Sequence, residues 1–246
     1  MSNYNEYIFT KKDKLINFAS AIVLAIVIAY LFYNSPIALV VTPGFYIFIK
    51  KFLMKYRINQ QKKEVEKEFV DGMQSVCTSL LAGYSLENAF KEAETELKLL
   101  YGENAIMVEE FRQINQSVEL NIPLEKIIED FALRSGSEEI VSFSEVFSYA
   151  KRGGGDFVKI IETTTMHIRE TIETHREIDI LVASKKYEQN IMSGIPIFIM
   201  AYLRVSSGDY LNALYHNVAG VLFMTVCLGA YGAAFYLADK ILQIEV

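Results

Sequence analysis

The stretch Lys151–Asp156, KRGGGD, sets two basic residues beside three consecutive glycines and an acid. Glycine loops expose backbone N–H groups and can cradle a phosphate at a helix start. The spacing here is wrong for that. A phosphate loop needs a Lys-Ser or Lys-Thr pair after its last glycine and a strand before its first. Instead Asp156 and Phe157 follow the glycines, and the preceding residues have helical periodicity. A carboxylate at the helix N-terminus also repels the anion that would sit there. The segment is predicted to turn a corner between two helices, with Gly153 and Gly154 in the turn and Asp156 as the N-cap.

The remaining reactive side chains are as sparse. His167 and His175 stand about two helical turns apart, whereas joint metal ligation on a helix favours a separation of three or four. They read as solvated helix histidines, and a phosphoacceptor role lacks both the proline that would follow and the room for an ATP-binding domain. Cys77 and Cys227 fall in an amphipathic and an apolar segment, a pattern of neither a disulfide nor a metal site. Carboxylates are numerous, including Glu92, Glu94, Glu96, Glu109, Glu110, Glu129, Asp130, Glu138 and Glu139, and read as solvated faces opposite apolar stripes. No catalytic residue, cofactor or metal is expected.

The elements that carry these residues divide into three. Of 246 residues, 52% are hydrophobic, and the mean hydropathy is +0.20. No charge occurs between Lys14 and Lys50, and from Asn190 onward the only charges are Arg204, Asp209, Asp239, Lys240 and Glu245. The middle, residues 58–190, holds 15 basic against 25 acidic residues, a net charge of −10. The expected fold is all-α: a membrane protein with two transmembrane helical hairpins flanking a cytoplasmic helical-bundle domain. Residues 1–57 form the first hairpin, with helices at about Ile16–Tyr33 and Ile37–Met54 joined at Asn34–Pro36 and a kink at Pro43-Gly44. Residues 58–190 form the acidic bundle. Residues 191–246 form the second hairpin, with a short outer loop at Ser206–His216. Lysines and arginine flank both ends of the first hairpin, so the positive-inside tendency places both termini in the cytoplasm. A second apolar segment and the lack of a small-x-small site argue against a cleaved signal peptide. Gly229, Ala230, Gly232, Ala234 and Ala238 form a small-residue stripe of the kind that lets membrane helices approach closely.

Within the middle, apolar residues recur every three to four positions, as in Phe69–Met73–Val76–Cys77, Ala89–Phe90–Ala93–Leu97, Met107–Phe111–Ile114 and Leu124–Ile127–Ile128–Phe131. Three boundaries echo one another: GYSLENAF (Gly83–Phe90), NIPLEKII (Asn121–Ile128) and GGDFVKII (Gly154–Ile161). Gly83 and Gly153 suit a left-handed residue just after a helix, Ser85 and Asp156 suit N-caps, and Pro123 a helix start where its missing N–H costs nothing.

The order of FVDGMQSVCTSLLAGYSLENAFKEA (Phe69–Ala93), LNIPLEKIIEDFALRSGSEEI (Leu120–Ile140) and FSYAKRGGGDFVKIIETTTMHIRE (Phe147–Glu170), then an apolar SGIPIFIMAYL and a glycine- and alanine-rich helix, resembles the type II secretion system F domain family. The likeness is to its single-domain Tad (Flp pilus) form, the TadB/TadC type, and runs from about Lys50 to the C-terminus. Gly83, Ser85, Leu86, Pro123, Leu124, Ala132, Arg134, Gly153 and Gly154 match its motif positions. The resemblance implies a non-enzymatic platform in the cytoplasmic membrane. Implied partners are a cytoplasmic secretion ATPase, pilin subunits and a homologous platform protein, in a homo- or hetero-oligomer within the lipid bilayer.

The acidic domain disfavours nucleic acid and favours partners with basic patches. A membrane-anchored signalling adaptor is the alternative, disfavoured by outer loops too short to sense much. A small transporter is disfavoured by membrane helices without buried charge.

Overall fold

The computed structural model describes residue 4 and residues 11–33, 42–153, 156–206 and 217–244. The fold is all-α, with no strand among the described residues. The helices are α1 (Lys11–Ile28, continued by a π-helical turn, Ala29–Tyr33), α2 (Thr42–Leu81), α3 (Leu86–Tyr101), α4 (Ile106–Glu119), α5 (Leu124–Ser135), α6 (Glu138–Gly153), α7 (Phe157–Ser206) and α8 (Val218–Ile244). The chain divides into two compact units. One is Met1–Ile8 with Met54–Thr174, and the other is Phe9–Leu53 with His175–Val246. The boundaries fall inside α2 and α7, at other positions than the three-part division read from charge.

The first unit is a bundle built on the stripes. Val65, Phe69, Met73, Val76 and Cys77 of α2 are buried with Phe90 and Leu97 of α3, Met107 and Phe111 of α4, and Ile128 and Phe131 of α5. Phe143 and Phe147 of α6 and Ile161 and Ile168 of α7 complete the core. Its aromatic rings meet in edge-on and stacked pairs, as the ring quadrupole favours: the centroids of Phe69 and Phe143 lie 5.1 Å apart and those of Phe147 and Phe157 5.4 Å apart, both edge-on, and Phe90 stacks on Phe111 at 5.5 Å. At Gly72 α2 runs close against its neighbours, since a Cβ there would stand 2.8 Å from Phe111 Cζ and 3.0 Å from Leu97 Cδ1.

The second unit holds the most apolar helices, besides the polar residues 175–190 of α7. One of its helices, over Ala219–Ile241, is long and apolar enough to cross a membrane, and Asn17–Tyr33 is a shorter apolar helix. The first apolar stripe of α1 is small: Ala21, Ala25 and Ala29 are buried one turn apart, with Asn17 below them. Tyr33 Oη and Thr225 Oγ1 lie 3.1 Å apart, and the Arg204 guanidinium sits 3.7 Å over the Tyr30 ring. Pro43 falls in the first turn of α2 rather than in mid-helix, a place where proline costs no hydrogen bond. The turn expected at Asn34–Pro36, Gly154, and nearly all of the expected outer loop Ser206–His216 lie outside the described residues.

Candidate functional site

The turns and caps come first, because they place everything else. α2 and α4 end in the same device. Gly83 has φ +90° and Asn121 has φ +59°. Tyr84 N–H donates to the Ser79 carbonyl at 3.1 Å and Gly83 N–H to the Leu80 carbonyl at 3.0 Å. Likewise Ile122 N–H donates to the Ser117 carbonyl at 3.1 Å and Asn121 N–H to the Val118 carbonyl at 2.9 Å. Both are Schellman caps, in which a left-handed residue closes the helix. The first two echoed boundaries are therefore the same local structure. The Ser85 hydroxyl accepts from Asn88 N–H at 3.4 Å, and the Asp156 carboxylate from Lys159 N–H at 3.2 Å. Pro123 stands at the N-cap of α5 with φ −58°, one residue before the first helical position. Gly153 departs from the left-handed residue expected just after a helix: it is the last residue of α6, its φ is not positive, and nothing lies within 4 Å of a Cβ built there.

The small residues of α8 are placed differently from a packed stripe. Gly229, Ala230, Gly232 and Ala234 are exposed and Ala238 is half-buried. A Cβ at Gly229 or Gly232 would meet nothing within 4 Å. No described element of this chain covers that face.

Two polar clusters inside the bundle were not read from the sequence. In the first, Glu110 is 1% exposed. Its Oε1 accepts from Arg134 Nη1 at 2.9 Å and from Tyr4 Oη at 2.6 Å, and its Oε2 accepts from Arg134 Nη2 at 2.8 Å. Arg134 Nε also donates to Asp130 Oδ2 at 2.8 Å. The Tyr4 N–H donates to the Arg134 carbonyl at 3.1 Å, so Tyr4 itself is held at α4 and α5. The hydrogen bonds to Glu110 and Asp130 hold the Arg134 guanidinium above its ordinary pKa. Burial, then the hydrogen bond to Glu110, pushes the Tyr4 phenol up.

The second cluster lies along α2. Glu68, 3% exposed, accepts from Met107 N–H at 3.0 Å. It thereby caps α4, whose own N-cap residue Ala105 has no side-chain acceptor. Burial pushes the Glu68 carboxyl up, against that hydrogen bond. Asp71 accepts from Tyr101 Oη at 2.5 Å and from Arg169 Nη2 at 3.0 Å, and Ser75 hydrogen-bonds Glu96.

Glu68 and Glu110 depart from the expectation of a solvated acidic surface. The signal for Glu110 was available. It stands three residues after Met107 and four before Ile114, on the apolar face of α4. Arg134, picked out above as a family motif position, is its partner.

Chemically, the first cluster is closed. Both oxygens of Glu110 are engaged, the Arg134 guanidinium stays protonated, and the two phenols, Tyr4 and Tyr101, are pushed up. Cys77 is buried, and burial pushes its thiol up to about 11, a poor nucleophile. Among the described residues, no group of three or more His, Cys, Asp or Glu side chains is arranged to hold a metal. What the clusters do is join helices. No family model matches the chain, no curated protein matches its sequence, and no solved structure matches its fold.

Proposed function

We propose that this chain is a non-enzymatic platform of the cytoplasmic membrane that couples a cytoplasmic secretion ATPase to pilin assembly. In this reading it is a multi-pass protein with two hairpins, both termini cytoplasmic, and the acidic bundle at the inner leaflet. The observation that carries the proposal is the continuity of α7, one helix of 50 residues. Its first turns are core residues of the bundle, Ile161, Thr165 and Ile168, and its last turns are the apolar SGIPIFIMAYL. A helix that is a packed core element at one end and bilayer-compatible at the other transmits displacement, because packed helices move as rigid bodies. The polar clusters agree with this, since a body that receives force needs its helices tied. Asn34–Pro36 and residues 207–216, the two outer connections, are short, which leaves little outside the membrane to act as a sensor.

Inserting two glycines after Tyr187 interrupts the helix at a turn that carries the exposed Lys185–Glu188 ion pair. The expected result is loss of pilus assembly with normal membrane insertion and normal amounts of the chain. Unchanged assembly by the insertion variant refutes transmission through α7. Co-purification with a hexameric ATPase, and its loss when the bundle is deleted, tests the partner.

A further inference from the structure

We infer that α7 carries the seam of a parallel homodimer, running from Ile180 to Val205. The residues Ile180, Ser184, Tyr187 and Ile191 alternate steps of four and three, and Phe198 and Val205 continue the same rhythm. Between them the repeat places Gly194 and Ala201, small residues that let two helices approach. The period is 3.5, the repeat of a coiled coil, sustained over four heptads and about 38 Å of helix. Within the chain the large residues of this seam are exposed, Ile180 63%, Tyr187 73%, Ile191 60%, Phe198 79% and Val205 86%, while Ala201 is half-buried. The opposite side of the same helix is the one that meets the rest of its unit. There Tyr231 Oη donates to the Ser193 carbonyl at 2.6 Å, on the turn where Pro196 disturbs the backbone ladder, and Met200 packs with Met224.

Lipid does not account for the first half of the seam. Ile180 and Tyr187 lie on the polar stretch of α7, beside Lys185, Lys186 and Glu188, where exposed apolar side chains would face water. A covering partner must be a helix that keeps one apolar repeat through both a polar and an apolar stretch. This chain holds such a helix in α7 itself. Copies inserted in one membrane share an orientation, so a two-fold axis sets α7 parallel to its copy and each seam residue opposite itself. Between Ile180 and Val205 no seam position is charged, so self-pairing sets no like charges together. One heptad earlier the seam positions are Glu173 and Glu177, which would oppose their own copies, and pairing therefore begins at Ile180. The membrane reading above supplies the parallel sense; the seam itself rests on periodicity and exposure.

The test is cysteine cross-linking of the full chain in native membranes, in a Cys77→Ala, Cys227→Ser background. Single cysteines replace Ile180, Ser184, Tyr187 and Ile191 on the seam, Val182, Lys185 and Gln189 off it, and Glu173 and Glu177 before it. Mild oxidation is expected to give a disulfide dimer at the four seam positions, severalfold above the others, with Glu173 and Glu177 at the off-seam level. Equal cross-linking on all faces, no dimer at the seam, or a seam adduct with a different protein overturns the proposal. Tyr187→Lys, alone or with Ile180→Lys, is expected to abolish the dimer in detergent while far-UV circular dichroism is unchanged; a persistent dimer overturns it too. Alkaline carbonate extraction of the same membranes separates the readings. A chain released by carbonate refutes the membrane assignment, while the cross-linking pattern still judges the seam.

Discussion

The buried pair Glu110–Arg134 gives the sharpest test of the bundle. Removing Arg134 as Arg134→Met leaves a carboxylate that is 1% exposed with Tyr4 as its last partner. Breaking a buried ion pair from one side costs about 3–5 kcal/mol, because the remaining charge is neither solvated nor paired. For a unit of this size that lowers the melting temperature by about 10–20 °C. The reverse change, Glu110→Leu, costs less. Its Arg134 side chain is 16% exposed and keeps Asp130 at 2.8 Å, so the loss is about 1–3 kcal/mol. The double variant Glu110→Leu/Arg134→Met removes both charges and fills the space with apolar groups, and returns to within about 2 kcal/mol of the parent. The assay is thermal melting of the full chain by circular dichroism, with limited proteolysis reporting opening between α4 and α5. The order of the three variants is the point. If Arg134→Met costs under about 1 kcal/mol, the pair is screened as a surface bridge would be, and the assignment of Glu110 to the core is wrong.

Three further outcomes follow from local geometry. The two Schellman caps predict opposite signs: Asn121→Gly stabilises by about 0.5–1 kcal/mol, and Gly83→Ala destabilises by about 1–2 kcal/mol, read from denaturant midpoints. Gly72→Val forces methyls into Phe111 and Leu97, both buried, and destabilises by about 2–3 kcal/mol; a neutral result by calorimetry removes the close approach. Glu68 has a pKa raised above 4.5 by burial, so its contribution to stability is full below 4.5 and lost as pH rises through the raised value. Glu68→Gln keeps an acceptor for Met107 N–H and has no charge to desolvate. Its melting temperature therefore gains on the parent as pH rises above 4.5, and parallel curves refute the assignment.

Most helix positions were legible because stripes of buried residues recur at the helical period. Turns were legible where chemistry forces them: Gly83, Ser85 and Asp156 stand where a left-handed residue or an acceptor is needed. Asn121 shows the same rule from a second residue type, since asparagine tolerates the left-handed region that closes α4. On α6 apolar residues fall on two adjoining faces and only packing decides between them: Phe143 is buried and Val146 half-buried. Long-range polar partners were not legible. Tyr4 and Glu110 are 106 residues apart, and Arg134 and Glu110 are 24 apart, distances at which no local pattern announces contact. The Gly229–Ala238 stripe is a related case. Small-residue spacing says that a helix can be approached closely, but not by which neighbour.

The second polar cluster explains something the apolar core cannot. An apolar stripe repeats nearly the same surface every turn, so α2 could slide along its neighbours by one turn, about 5.4 Å, and still bury methyl groups. Glu68, Asp71 and Ser75 recur at three and four residues on the same helix, beside the stripe of Val65, Phe69, Met73 and Val76. Each meets a partner on another helix: Met107 N–H on α4, Tyr101 on α3 with Arg169 on α7, and Glu96 on α3. A slide of one turn breaks all of them at once, and Glu68 would then be a buried carboxyl with no donor. Directional bonds to three different helices fix the axial position of α2 where hydrophobic burial alone leaves it loose. A helix whose axial position is fixed passes a push along its length instead of absorbing it, which is what the proposed function asks of this bundle.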